Sequence, residues 1–128
     1  MKLLLDTHLL LWAAGQPDKL SDEVRAFLLD ASNSLFFSAA SMWEIVIKRG
    51  LGREDFKVNP QRLLKQLVVN GYEEVAVSSV HTLAVEALPA LHKDPFDRIL
   101  IAQARTEGMM LLTADTIVSM YGEGIMAV

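Results

Sequence analysis

The sequence predicts an α/β fold: one domain over residues 1–128, with a central parallel sheet of four to five strands and helices on both faces. Three observations predict it. Short, almost wholly apolar runs of strand length alternate with longer segments of helical periodicity, the pattern of βα units that build a parallel sheet. The helical segments open on Ser, Asn or Asp and close on Gly, so the boundaries are marked chemically. The length of 128 residues suits one ordinary domain, and 52% hydrophobic residues supply a core without disulfides or structural metal.

The elements follow in order. "KLLLD" (Lys2–Asp6) is an apolar run ending in a polar residue, as a buried parallel strand would. "THLLLWAAG" reads as a short helix closed by Gly15, and "QPD" as a turn. "SDEVRAFLLDAS" has Ser21 as N-cap, acids in its first turn, and Val24, Phe27 and Leu28 on one face. "SLFFSA" is a second strand, and "ASMWEIVIKRG" (Ala40–Gly50) a helix with basic residues in its last turn. A polar connection around Gly50–Lys57 precedes "NPQRLLKQLVVNG", a helix capped by Asn59 and ending at Gly71. "YEEVAVS" is a third strand and "VHTLAVEALPAL" a helix broken near Pro89. "DPFDRILIAQARTEG" is a long amphipathic helix with Asp94 as N-cap and Pro95 as its first residue, where a missing N–H costs nothing. "MMLLTA" is a fourth strand, "DTIVSMYG" a helix and "IMAV" a last short strand.

Composition removes several classes of function. There is no cysteine, so thiolate catalysis, disulfides and cysteine–zinc sites are out, and a reducing cytoplasmic setting is expected. Asp6 and His8 interrupt the N-terminal apolar stretch, which argues against a signal peptide, and no apolar run approaches a membrane span. The net charge is −4 and the pI about 5.3, unlike a protein that grips nucleic acid by phosphate neutralisation alone. Glycine patterns of nucleotide-binding loops and G-x-S-x-G are missing.

The acids carry the chemistry. Ligands of open parallel sheets bind beyond the carboxyl ends of the strands. Asp6 and Asp115 directly follow strands, Glu44 lies about a turn into the helix after the second strand, and Asp97 opens the helix before the fourth. Asp97 reaches the same edge if two helices separate strands three and four. Each acid also fits a purely structural role: Asp6 and Asp115 as caps, Asp97 near the positive end of a helix dipole, and Glu44 with Ser41 as an S-x-x-E capping box. Two unit charges at about 4 Å repel by roughly 4 kcal/mol at an effective dielectric of about 20. Four converging carboxylates therefore need protons or a cation, and oxygen ligands without cysteine or paired histidine favour Mg²⁺ or Mn²⁺. His8, His81 and His92 lack metal-ligand spacing and read as surface or packing residues.

At these residues the sequence resembles the PIN-domain ribonucleases, and among them the VapC toxins of type II toxin–antitoxin systems. The matching segments are "LLLDTHLLLWA", "FSAASMWEIVIKRGLG", "HKDPFDRILIAQA" and "LLTAD" with Tyr121. After "TAD" the chain lacks the proline often found there. The resemblance implies a metal-dependent endoribonuclease that leaves 5′-phosphate and 3′-OH ends, with Asp6, Glu44, Asp97 and Asp115 as catalytic and metal-binding residues and Asp94 as their supporting companion. It implies a homodimer held inactive by a cognate VapB-like antitoxin. Thr113 and Ser38, near strand ends, can hydrogen-bond a carboxylate or a water. Lys48, Arg49, Arg53, Lys93 and Arg98 can guide an RNA backbone. Two rivals remain: a receiver-like or phosphoryl-transfer module with an acidic Mg²⁺ pocket, and an inactive PIN-fold binding protein. A receiver would want a lysine near the end of a late strand, yet the last lysine is Lys93; a D-x-D-x-T phosphatase would want aspartate where His8 stands.

Overall fold

A computed structural model describes all residues, 1–128. Five parallel strands form one sheet: β1 (Lys2–Leu5), β2 (Ser34–Ser38), β3 (Glu73–Val75), β4 (Met110–Thr113) and β5 (Ile125–Ala127), in the order β3-β2-β1-β4-β5. The helices are α1 (Thr7–Gly15), α2 (Asp22–Leu29), α3 (Ala39–Gly50), α4 (Pro60–Val69), α5 (Ser79–Ala84), α6 (Pro95–Glu107) and α7 (Thr116–Ser119). The sheet grows outward from β1 through β2 to β3, then resumes on the other side of β1 with β4. That reversal makes a switch point between β1 and β4, where doubly wound sheets open a crevice. A receiver-like order would be β2-β1-β3-β4-β5, so the observed order excludes the receiver form of that rival.

Strand periodicity explains the two cores. Successive strand side chains point to opposite faces, so Leu4, Phe36 and Leu111 pack on one face with α6 residues Leu100, Ile101 and Ala104. Leu5, Phe37 and Leu112 pack on the other with Leu9 and Leu10 of α1, Ile45 of α3 and Leu63 and Leu67 of α4. Each such leucine, fully buried, contributes about 1.5–3 kcal/mol.

The caps lie where the sequence places them. Ser21 accepts from the Val24 amide at 3.2 Å, and Asn59 from Gln61 and Arg62 at 3.0 and 3.2 Å. Asp94 accepts from Phe96 at 2.8 Å and Asp97 at 3.4 Å. Helix α6 ends on Gly108, whose φ of +66° is the left-handed conformation that glycine adopts without penalty.

Two boundaries differ from expectation. The strand expected over "YEEVAVS" is only Glu73–Val75, because β3 is an edge strand and the next carbonyl, Ala76, accepts from Gln103 Nε2 instead. The S-x-x-E capping box at Ser41 and Glu44 does not form. The N-cap of α3 is Ser38, which accepts from the Ala40 amide at 3.0 Å. Ser41 lies inside the helix and its hydroxyl accepts from Thr7 Oγ1 at 3.0 Å.

Between β3 and β4 the chain makes two helices, α5 and α6, joined by a short 3-10 turn (Val85–Ala87) and a loop. Because α6 runs directly into β4 through Gly108, its N-terminus lies at the carboxyl edge of the sheet. No helix is long and apolar enough to cross a membrane.

Candidate metal-binding active site

The switch point gathers the acids. Leu5 of β1 lies opposite Leu112 of β4, and the Asp6 amide donates to the Leu112 carbonyl at 3.1 Å, so the residues that follow both strands emerge side by side. Asp6, His8, Trp12, Asp97, Ala114 and Asp115 line one cleft of about 160 Å³.

Asp6 is 7% exposed and held at both oxygens. Oδ1 accepts the Leu9 amide at 2.9 Å, capping α1, and Oδ2 accepts the Thr113 hydroxyl at 2.5 Å. Burial raises its pKa above the usual carboxylate value, against the lowering by Thr113 and Leu9. Capping and membership of the cleft are thus one feature, since each carboxylate oxygen keeps a second acceptor site.

Asp97 has a different environment. Its amide is bonded to the Asp94 cap, but the only close partner of its carboxylate is His92, whose Nε2 lies 2.8 Å from Oδ2 without the angle of a hydrogen bond. Burial, then the charges of Asp94 and Glu44, push its pKa to about 7, with His92 pulling the other way. Asp115 is exposed and caps α7 through Oδ1, at 2.8 Å from Ile117 and 3.1 Å from Val118. Ligand atoms of His92, Asp97 and Asp115 lie within 4.8 Å of one another, a spacing that one metal ion can bridge.

Glu44 is 2% exposed. Its Oε2 accepts from Lys48 Nζ at 2.5 Å, and its Oε1 has no partner. Lys48 also lies 3.8 Å from Asp94 Oδ2.

Several sequence expectations change here. His92, read as a surface or packing residue, lies against the cleft acids Asp97 and Asp115; its place two residues before the Asp94 cap was the available signal. Its loop is fixed by Arg98, whose guanidinium donates to the carbonyls of Pro89 and His92 at 2.9 and 3.3 Å and to Tyr121 Oη at 3.1 Å, while Tyr121 Oη accepts the His92 amide at 2.9 Å. Arg98 is therefore committed to its own backbone rather than free for RNA. Lys48 is likewise turned inward onto Glu44. Ser38 reaches no acid: its hydroxyl donates to Gln103 Oε1 at 2.5 Å, in a buried network with His81. His81 stays a packing residue, its Nδ1 accepting the Ser78 amide and its Nε2 paired with Glu107. Arg49, Arg53 and Lys93 are exposed.

A model of the PIN domain matches residues 3–123, nearly the whole chain. The chain belongs to the PIN domain family. Solved structures agree on the fold. VapBC2 from Rickettsia felis, bound to a promoter DNA fragment, superposes with a TM-score of 0.70 at 16% identity, covering 100% of this chain and 98% of that one. DNA-bound VapBC from Salmonella typhimurium gives 0.65 at 17% identity, covering 100% and 97%. A toxin–antitoxin complex from Klebsiella pneumoniae gives 0.61 at 19% identity, covering 98% and 96%. No curated protein matches the sequence. The PIN fold places the acidic cleft at the β1/β4 switch point, where this sheet topology favours a ligand.

Proposed function

We propose that this PIN domain is a metal-dependent endoribonuclease, the toxin of a type II toxin–antitoxin pair. One observation carries the reading. Asp6, Asp97 and Asp115 line a single cleft at the switch point of the sheet, with His92 beside them and Asp97 pushed to about 7. Asp6 and Asp97 resist ionisation, and a cation bound beside them favours their charged forms at neutral pH.

The donor set fits a hard divalent ion. It is mainly carboxylate oxygen, with one imidazole, and the buried Glu44 Oε1 is left without a partner. Asp6, Asp97 and Asp115 would hold Mg²⁺ or Mn²⁺, with His92 and Glu44 next to them. Held by these residues, the ion would supply charge to orient the scissile phosphate, to lower the pKa of a water and to stabilise the leaving 3′ oxygen. The chain's own groups prepare that arrangement. Thr113 fixes the Asp6 carboxylate, and the Arg98–Tyr121 clamp fixes the loop bearing His92. Arg49, Arg53 and Lys93 remain to contact the RNA backbone. With water rather than the 2′-OH as the nucleophile, no cyclic phosphate would form and the products would carry 5′-phosphate and 3′-OH.

The partners in this reading are RNA, a second copy of the chain and a VapB-like antitoxin. The toxin–antitoxin complexes among the structural relatives support the last. So does an apolar cleft of about 680 Å³ lined by Ala40, Trp43, Val85 and Phe96, suited to an amphipathic segment.

The test uses purified protein free of any inhibitor. RNA cleavage should occur with Mg²⁺ or Mn²⁺, stop with EDTA, and disappear in Asp6→Asn. Undiminished cleavage in EDTA, or ends bearing 2′,3′-cyclic phosphate, would exclude this mechanism.

A further inference from the structure

We propose that Lys48 is a built-in cation of the acidic site, occupying the position between Glu44 and Asp94, so that the free protein takes one divalent ion at the Asp6–Asp97–Asp115 end. The inference rests on the metal-dependent reading above and adds how many ions the site accepts and why.

The geometry is specific. Lys48 follows Glu44 by one turn of α3, with the acid N-terminal to the base, the favourable order for such a pair. On a surface this arrangement contributes little. Here both partners are withdrawn from water: the Glu44 side chain is 3% exposed and the Lys48 side chain 17%. The ammonium reaches Glu44 Oε2 at 2.5 Å and lies 3.8 Å from Asp94 Oδ2. It is flanked by two aromatic rings, 5.0 Å from the Phe56 centroid and 5.9 Å from that of Phe96, distances at which ring faces attract a cation. Four groups, from α3, the turn at Phe56 and the start of α6, thus meet one ammonium. A lysine that contacts phosphate needs its head in solvent; this one is spent on acids of its own site.

Two consequences follow. A divalent ion entering between Glu44 and Asp94 must displace the ammonium, whose charge repels it. Glu44 also keeps a single uncommitted oxygen, the buried Oε1. His92, Asp97 and Asp115 form a set of ligand atoms that includes neither Glu44 nor Asp6; Asp6 joins it through the cleft it lines with Asp97 and Asp115. Lys48 is therefore a positioning residue that acts through Glu44.

The experiment counts Mn²⁺ bound per chain by electron paramagnetic resonance of the free ion, and follows thermal unfolding of the same full-length proteins. Wild type and Lys48→Arg should bind one ion. Lys48→Met should bind two, melt roughly 10 °C lower in EDTA because Glu44 loses its buried partner, and recover most of that with Mn²⁺. Adding Glu44→Gln to Lys48→Met should return the count to one and raise the melting point in EDTA. If Lys48→Met does not fold in EDTA, rescue by Mn²⁺ or by Glu44→Gln supports the proposal, and failure of both overturns it. One ion in both wild type and Lys48→Met, with equal melting points, overturns this inference and leaves the metal-dependent reading standing. Two ions in wild type do the same. No binding by wild type removes the metal-dependent reading and this inference with it.

Discussion

Replacing Asp97 by asparagine should stabilise the metal-free protein while abolishing cleavage. The carboxyl is raised from 3.8 to about 7, chiefly by burial and by the charges of Asp94 and Glu44. A folded-state pKa above the unfolded value means that the folded chain keeps a proton the unfolded chain releases. Stability from this group is complete below about pH 4 and is lost as pH rises toward about 7. The rise corresponds to about 4 kcal/mol at most, and partial access of the side chain to water brings the expected value to roughly 2–4 kcal/mol. Asparagine has the same shape and no proton to lose. In EDTA at pH 8, Asp97→Asn should therefore melt roughly 6–12 °C above wild type, and the two should converge near pH 4. Circular dichroism melts between pH 4 and 9 measure this directly. If Asp97 served only the dipole at the start of α6, its charge would help at high pH and the variant would melt lower there. A lower melting point at pH 8, or a difference independent of pH, refutes the reasoning.

Other substitutions separate the site from its scaffold. Thr113→Val removes the hydroxyl that holds Asp6 Oδ2; Mn²⁺ affinity should fall several-fold, with a melting shift of only about 1 kcal/mol equivalent, read by titration and by thermal unfolding. Arg98→Met removes the clamp on the Pro89 and His92 carbonyls and Tyr121; it should cost about 2–3 kcal/mol in urea unfolding and expose the loop before α6 to faster amide exchange. An unchanged exchange rate in that loop would show that Arg98 does not hold it.

The sequence by itself determined the elements and most of their ends. Apolar runs with one residue in two facing each side made β1, β2 and β4, and Ser21, Asn59, Asp94 and Asp115 cap the helices they precede, because capping is settled within three residues of chain. The carboxyl-edge rule also brought Asp6 and Asp115 to one side of the sheet before any pairing was known. The tertiary structure decided what distance along the chain conceals. Strand order depends on contacts between residues about a hundred positions apart, and only the β1–β4 pairing puts Asp6 against Thr113. The direction of long side chains depends on what surrounds them: Phe56 and Phe96 turn Lys48 inward, and a row of free carbonyls draws Arg98 from solvent. His92 reaches Asp97 from a loop held by Tyr121, which comes from beyond β4 and accepts the His92 amide. Local rules mark where a helix begins. Which charges meet there depends on the packing, because a buried charge takes whatever partner the fold brings within reach.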